Sequence, residues 1–236
     1  MAAMAMQPQL NLPPSPKEEI QPSPADKLGS TMAFTYFFRD EPILTMIGEV
    51  VVPALSGSRY LDVWDAGCAM GPEPYSLAIT IRERMGKFGF RNVRVFGSDI
   101  DESGAFGKTI EAGIYSDEET QRIPRPIFAR YFEAHGTAGQ YRLVEEIRNT
   151  VTFRRHDLLS FAAFREGFGL VVCKNVLLHF TAAERVKVVR MFHQALIPGG
   201  FLALEQTQTL PEELKAHFNQ VDERVQLFRK RPEGLR

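Results

Sequence analysis

The stretch Leu61-Asp-Val-Trp-Asp-Ala-Gly-Cys-Ala-Met-Gly-Pro-Glu-Pro-Tyr-Ser-Leu-Ala78, followed by Val93-Arg-Val-Phe-Gly-Ser-Asp99-Ile-Asp101, constrains the fold more than any other part of the chain. An apolar run from Tyr60 to Trp64 gives way to a turn bracketed by Gly67 and Gly71, then to a helix with Pro74 in its first turn. A second short apolar run, Val93 to Phe96, ends in an acid. In an open parallel sheet the ends of two such strands lie side by side. There Gly67 and Gly71 let backbone approach a ligand, and Asp99 can accept from a ribose diol. The spacing Gly67-x-x-x-Gly71 lacks the tight G-x-G-x-x-G turn that cradles a diphosphate, so the pattern reads as a nucleoside pocket without a diphosphate to hold.

The remaining segments alternate strand and helix. Ile43, Leu44, Ile47, Val50 and Val51 recur at helical spacing behind a cap from Thr35 or Asp40, and Pro53 is expected to end that helix. Leu77, Ala78, Ile81 and Met85 share a face of the next helix, with Gly86 and Gly89 as its stop. Residues 102–112 read as helical, although Gly104 and Gly107 weaken them by ~1 kcal/mol each relative to alanine. Strands are expected at 151–153, 170–173 and 201–204. Between the last two lies a helix opened by the capping box Thr181-Ala-Ala-Glu184 and closed by Pro198-Gly-Gly200. A final strand at 225–229 pairs with a partner around 218–221. This order predicts an α/β doubly wound sheet with its ligand at the carboxyl ends of the strands. Residues 1–30, rich in Pro, Gln, Ser and Lys, read as a flexible tail, leaving 31–236 as the main domain.

Composition narrows the class. With 236 residues, 44% hydrophobic and 24% charged, the chain can bury one substantial core. A net charge of −1 supplies no basic field for nucleic acid. No run reaches the ~20 apolar residues of a membrane span, and Lys17-Glu-Glu19 interrupts any signal-peptide core. A cytoplasmic monomer with no membrane insertion is expected. The two cysteines, Cys68 and Cys173, follow comparable strands and are expected as buried free thiols. The five histidines show no paired ligand spacing, so no metal is expected.

Five ordered motifs carry a resemblance: Gly67-Cys-Ala-Met-Gly-Pro-Glu-Pro-Tyr-Ser76, Asp99-Ile-Asp101, Ala112-Gly-Ile-Tyr115, Cys173-Lys-Asn-Val-Leu-Leu-His-Phe180 and Pro198-Gly-Gly200. With the entry motif Thr35-Tyr-Phe-Phe-Arg-Asp40, they resemble the CheR family of chemotaxis protein-glutamate O-methyltransferases over residues 31–230. The resemblance implies a class I S-adenosylmethionine-dependent methyltransferase fold, Rossmann-like, with a small antiparallel β subdomain inserted at about residues 123–150. It also implies S-adenosylmethionine as cofactor, with S-adenosylhomocysteine as product. Ala66 and Glu73 would face the methionine part of the cofactor, Asp99 the ribose, Asp157 and Leu158 the adenine edge, and Asn175 with Val176 the sulfonium side. Thr35 and Arg39 would complete the cofactor set. Family members often carry Asn where Asp157 stands, and either side chain accepts from an exocyclic amine.

The implied chemistry, methyl transfer to a glutamate carboxylate of a chemoreceptor, asks for no general base, because a carboxylate of pKa ~4.3 is already ionised at neutral pH. It asks for alignment and exclusion of water. Arg39 and Arg142 match family positions for clamping the substrate carboxylate. His179 stands where a tyrosine lining the transfer site is usual, and Lys174 replaces the usual arginine. The family's N-terminal helical domain, implicated in receptor contact, is expected to be lacking. That lack favours a first rival, a CheR-like enzyme acting on another protein or a small carboxylic acid. The second rival is a module that senses S-adenosylmethionine or its product without turnover.

Overall fold

The apolar run that opens at Leu61 forms β1 (Leu61–Ala66), buried along its whole length as a parallel strand covered on both faces must be. The computed structural model describes residues 35–232, so the expected Pro-rich tail lies outside the described residues. Ahead of β1 stands α1, made of a helix Glu41–Met46, a π-helical turn Ile47–Val51 and a further turn Val52–Leu55. Pro53 therefore does not end this helix. The wider π-helical turn ends two residues ahead of the proline, where an α-helical path would meet the ring and its missing N–H. Asp40 precedes α1 but does not cap it through its side chain. Its carbonyl instead accepts from Ile43 and Leu44 N–H, at 3.0 and 3.3 Å.

After β1, Gly71 in the left-handed conformation leads into α2 (Pro72–Phe90), which breaks its helical path at Gly86 (φ 69°, ψ 174°) and resumes to Phe90. β2 (Val93–Asp99) lies parallel to β1 in the register Leu61↔Val93 through Ala66↔Ser98. The helix that follows, α3 (Phe106–Ala112), starts four residues later than the sequence pattern suggests. Asp101 accepts from the N–H groups of Phe106 and Gly107 and takes up the residues ahead of the helix.

Next come β3 (Ile114–Ser116), β4 (Phe132–Ala134) and β5 (Gln140–Leu143), an antiparallel sheet in the order β3-β5-β4. The small sheet therefore begins upstream of residue 123, because a three-residue strand is too short to show alternation. β6 (Val151–Arg155) and β7 (Phe168–Cys173) return to the main sheet. The Thr181/Glu184 capping box forms and opens α4 (Ala182–Ala195), which passes straight into β8 (Leu196–Leu204). Pro198-Gly199-Gly200 thus sits inside β8, where the pairing with β7 shifts register. The hairpin β9 (Phe218–Gln220) and β10 (Leu227–Lys230) completes the seven-stranded order β6-β2-β1-β7-β8-β10-β9.

Strand order reverses between β1 and β7, so their carboxyl ends and that of β2 open onto one crevice. Side chains alternate across the sheet. Val63 packs with Leu77 and Ala78 of α2 on one face, while Trp64 and Ala66 pack with Val188 and Phe192 of α4 on the other. The buried Trp64 indole donates to Ser98 Oγ at 2.8 Å, satisfying its one polar atom.

Candidate functional site

The crevice at the switch point holds a cavity of about 290 Å³. Its floor is the turn after β1. Gly67 (φ 96°) and Cys68 both donate to Ser98 O, at 2.7 and 3.0 Å, which ties this turn to the end of β2. A Cβ on Gly67 would stand 2.0 Å from Val176 Cγ2, so only glycine lets the turn and the loop after β7 meet. From the small sheet, the Tyr115 hydroxyl donates to Met70 O at 2.9 Å and braces the same turn.

Asp99 lines the cavity at the end of β2. Its Oδ2 accepts from Ala69 N–H at 3.0 Å and its Oδ1 from Ile100 N–H at 2.8 Å. Each oxygen thereby keeps a lone pair in a fixed orientation, as recognition of a vicinal diol requires. Asp157 and Leu158 also line the cavity. Asp157 caps the turn Leu158–Ser160 by accepting from Leu159 N–H at 2.8 Å. His156, on the same wall, has Nε2 2.8 Å from Ala162 O and its ring edge-on to Trp64.

Opposite lies a charged cluster. Lys174 is buried, and its Nζ stands 2.6 Å from Glu73 Oε1 and 3.4 Å from Asp40 Oδ2, and donates to Arg39 O at 3.3 Å. This one ammonium joins the loop after β7, the first turn of α2 and the entry segment. Phe38 N–H donates to Ser76 Oγ at 2.8 Å, and the Phe37 ring packs edge-on against Tyr115 and Phe132, so the entry segment is held at several points. Burial pushes Glu73 above the usual carboxylate range despite the opposing charge of Lys174. Burial alone would lower Lys174, but the charge and hydrogen bond of Glu73, then Asp40, leave it raised. Asp65, fully buried on β1, has no hydrogen-bond partner for either carboxyl oxygen among the described residues. Burial first, then the charge of Glu73, holds it well above the carboxylate range, with Lys174 only partly offsetting them. Burial likewise pushes both free thiols, Cys68 and Cys173, upward, so neither is a thiolate nucleophile.

Of the residues singled out from the sequence, Thr35, Arg39, Glu73, Asp99, Asp157, Leu158, Asn175, Val176 and His179 line this one cavity. Ala66 and Arg142 do not. The Ala66 methyl faces the Trp64 side of the core, and Gly67 and Ala69 take its place in the lining. Arg142 sits on β5 and its Nε donates to Ala112 O at 3.2 Å, which staples the small sheet to the end of α3. Sequence reasoning overlooked Ser76 and Ser98 in the lining, and Glu205 behind it. Single serines within apolar segments offer no pattern to detect.

The carboxylates of the lining are Glu73, already paired with Lys174, Asp99 and Asp157, and the two acceptor oxygens of Asp99 suit a ribose such as that of S-adenosylmethionine. Comparison with known proteins gives the same cofactor. The family model described as "CheR methyltransferase, SAM binding domain" matches residues 33–227. Chemotaxis protein methyltransferase 1 of Pseudomonas aeruginosa is 32% identical over 195 residues, which cover 79% of this chain and 69% of that protein. Chemotaxis protein methyltransferase 2 of Vibrio cholerae is 29% identical over 185 residues, 76% of this chain and 63% of the relative. An uncharacterized 104.1 kDa protein of Rhodobacter capsulatus is 32% identical over 181 residues, 75% of this chain. The chain spans 18% of that last protein and 63% of the Vibrio one, so it matches a portion of each.

Proposed function

Because the chain belongs to the CheR methyltransferase family, whose domain binds S-adenosylmethionine, we propose that it methylates glutamate side-chain carboxylates of a chemoreceptor-like protein, giving methyl esters. The cofactor supplies an electrophilic methyl group on a sulfonium. Everything else falls to the chain. Asp99 takes the ribose hydroxyls, Asp157 and Leu158 the adenine edge, and Glu73 with Asn175 and Val176 the methionine end. The acceptor carboxylate arrives ionised, so its oxygen needs orientation and a dry surrounding rather than a base.

The observation that carries this reading is the placement of Arg39. It lines the same cavity as Asp99, Asn175 and the Lys174–Glu73 pair, with its guanidinium over the Tyr36 ring. A guanidinium fork at that place suits an incoming carboxylate. His179 reaches the cavity from the turn Leu177–His179 and can donate to the same group.

The test presents methyl-labelled cofactor and receptor cytoplasmic fragments to wild type and to Arg39→Ala, then counts methanol released by alkali. Wild type should yield base-labile methyl. The variant should lose about a hundredfold in ester formation while its affinity for S-adenosylhomocysteine falls far less, since misalignment costs rate rather than cofactor contacts. Tight cofactor binding with no labile methyl on any receptor fragment would hand the site to a different acceptor or to a sensing role.

A further inference from the structure

Glu205 follows the last residue of β8 and is not part of the cavity lining. Its Oε2 nevertheless accepts two hydrogen bonds from one lining residue: Asn175 N–H and Asn175 Nδ2, each at 2.8 Å. The Thr207 hydroxyl donates to the other oxygen, Oε1, so the carboxylate is itself held. Asn175 has φ 59°, in the left-handed region that asparagine enters more readily than other side-chain-bearing residues, and the two bonds to Glu205 hold it there. The chain after Asn175 depends on that turn. Val176 is the side chain that fills the space over Gly67, and His179 reaches the cavity within the next turn.

We propose that Glu205 is a positioning residue for the cofactor cavity: by accepting both N–H donors of Asn175 it locks the left-handed turn after β7 and so sets where Asn175, Val176 and His179 meet the ligand. The same bond fixes which way the Asn175 amide points. With one Nδ2 hydrogen held by Glu205, Oδ1 faces away from that carboxylate as an acceptor suited to a cationic or N–H-bearing group, and the second Nδ2 hydrogen stays available to donate. The inference rests on the reading of this cavity as the S-adenosylmethionine site.

Two variants separate geometry from charge, and calorimetric titration with S-adenosylhomocysteine reads them. Glu205→Gln keeps a carbonyl oxygen for both Asn175 donors and turns its amide toward the Thr207 oxygen, so affinity should stay within about twofold of wild type. Glu205→Ala removes the acceptor and should weaken affinity about tenfold, the order expected for losing hydrogen bonds to a charged group. Thermal melts of both variants serve as the folding control. A Glu205→Ala protein with wild-type affinity overturns the inference. So does a Glu205→Gln protein that stays folded yet binds as weakly as Glu205→Ala, because the field of the carboxylate would then matter instead of its bonds. Failure of wild type to bind S-adenosylhomocysteine would refute the cofactor assignment itself, a result distinct from either variant outcome.

Discussion

Replacing Lys174 with methionine tests the charged cluster most directly, because the stem is kept and only the ammonium goes. Lys174 is 3% exposed and its main partner Glu73 is 12% exposed, so this pair is buried at both ends. Asp40 is 41% exposed, and its contribution at 3.4 Å is screened to ~1 kcal/mol or less. The cost is therefore the cost of leaving Glu73 charged, buried and unpaired beside Asp65, which for such pairs is ~3–5 kcal/mol. Its pH dependence has a definite sign. Glu73 is raised in the folded state, so its penalty is absent below the unfolded value near 4.5 and develops as pH climbs through the folded one. Lys174→Met raises Glu73 further and widens that window upward. At about pH 8 the variant should lose ~3–5 kcal/mol in urea unfolding, and at about pH 4, where Glu73 takes up its proton, the loss should fall to the ~1 kcal/mol or less of the screened Asp40 contact. Adding Glu73→Gln should recover most of the loss at high pH, giving a coupling energy above ~2 kcal/mol. Equal losses at both pH values, or simple additivity of the two substitutions, would refute the pairing as the source of the effect.

Two further substitutions probe the cavity. Gly67→Ala sets a methyl 2.0 Å from Val176 Cγ2 at a φ of 96°, and should destabilise by ~2–4 kcal/mol in thermal or urea unfolding. The same variant should bind S-adenosylhomocysteine at least about tenfold more weakly, and wild-type behaviour in both assays would show that the turn can move away from Val176. Asp99→Ala removes both the proposed ribose acceptor and the anchor for the Ala69 and Ile100 amides, so calorimetry should show a loss of ~1–3 kcal/mol for S-adenosylmethionine and S-adenosylhomocysteine alike. Unchanged affinity would take Asp99 out of the pocket.

Much of the fold was legible because its signals are local. The glycine-bracketed turn at 67–71 and the capping box at 181–184 stand where the sequence puts them, and the strand that ends at Asp99 delivers that acid to the cavity. The misses have physical reasons. Pro53 normally stops a helix, but a π-helical turn ahead of it absorbs the clash. Glu205 lies thirty positions from Asn175 and meets it only because α4 carries the chain back to place β8 beside β7. Ala66 differs from Gly67 by one step, and one step along a strand turns a side chain to the opposite face.

The two acids of β1 show most clearly what pattern alone leaves undecided. In Leu61-Asp-Val-Trp-Asp-Ala66 both Asp62 and Asp65 interrupt an apolar run in a central strand, a conflict between residue and environment that marks either a neutralised pair or a functional position. Asp62, near the amino end, is neutralised: Arg94 bonds both of its oxygens, at 2.6 and 2.8 Å, and Arg165 adds a third contact at 2.6 Å. Asp65 lies three residues on, across the pleat from Trp64 and Ala66, which turns it toward the face that carries α2 and Glu73. Among the described residues neither of its oxygens is hydrogen-bonded, and it stands two residues before Gly67 of the cavity lining. The amino end of the strand was built for stability. Its carboxyl end carries an electrostatic cost, a buried carboxyl raised by burial, at the end of the sheet where a doubly wound fold receives its ligand.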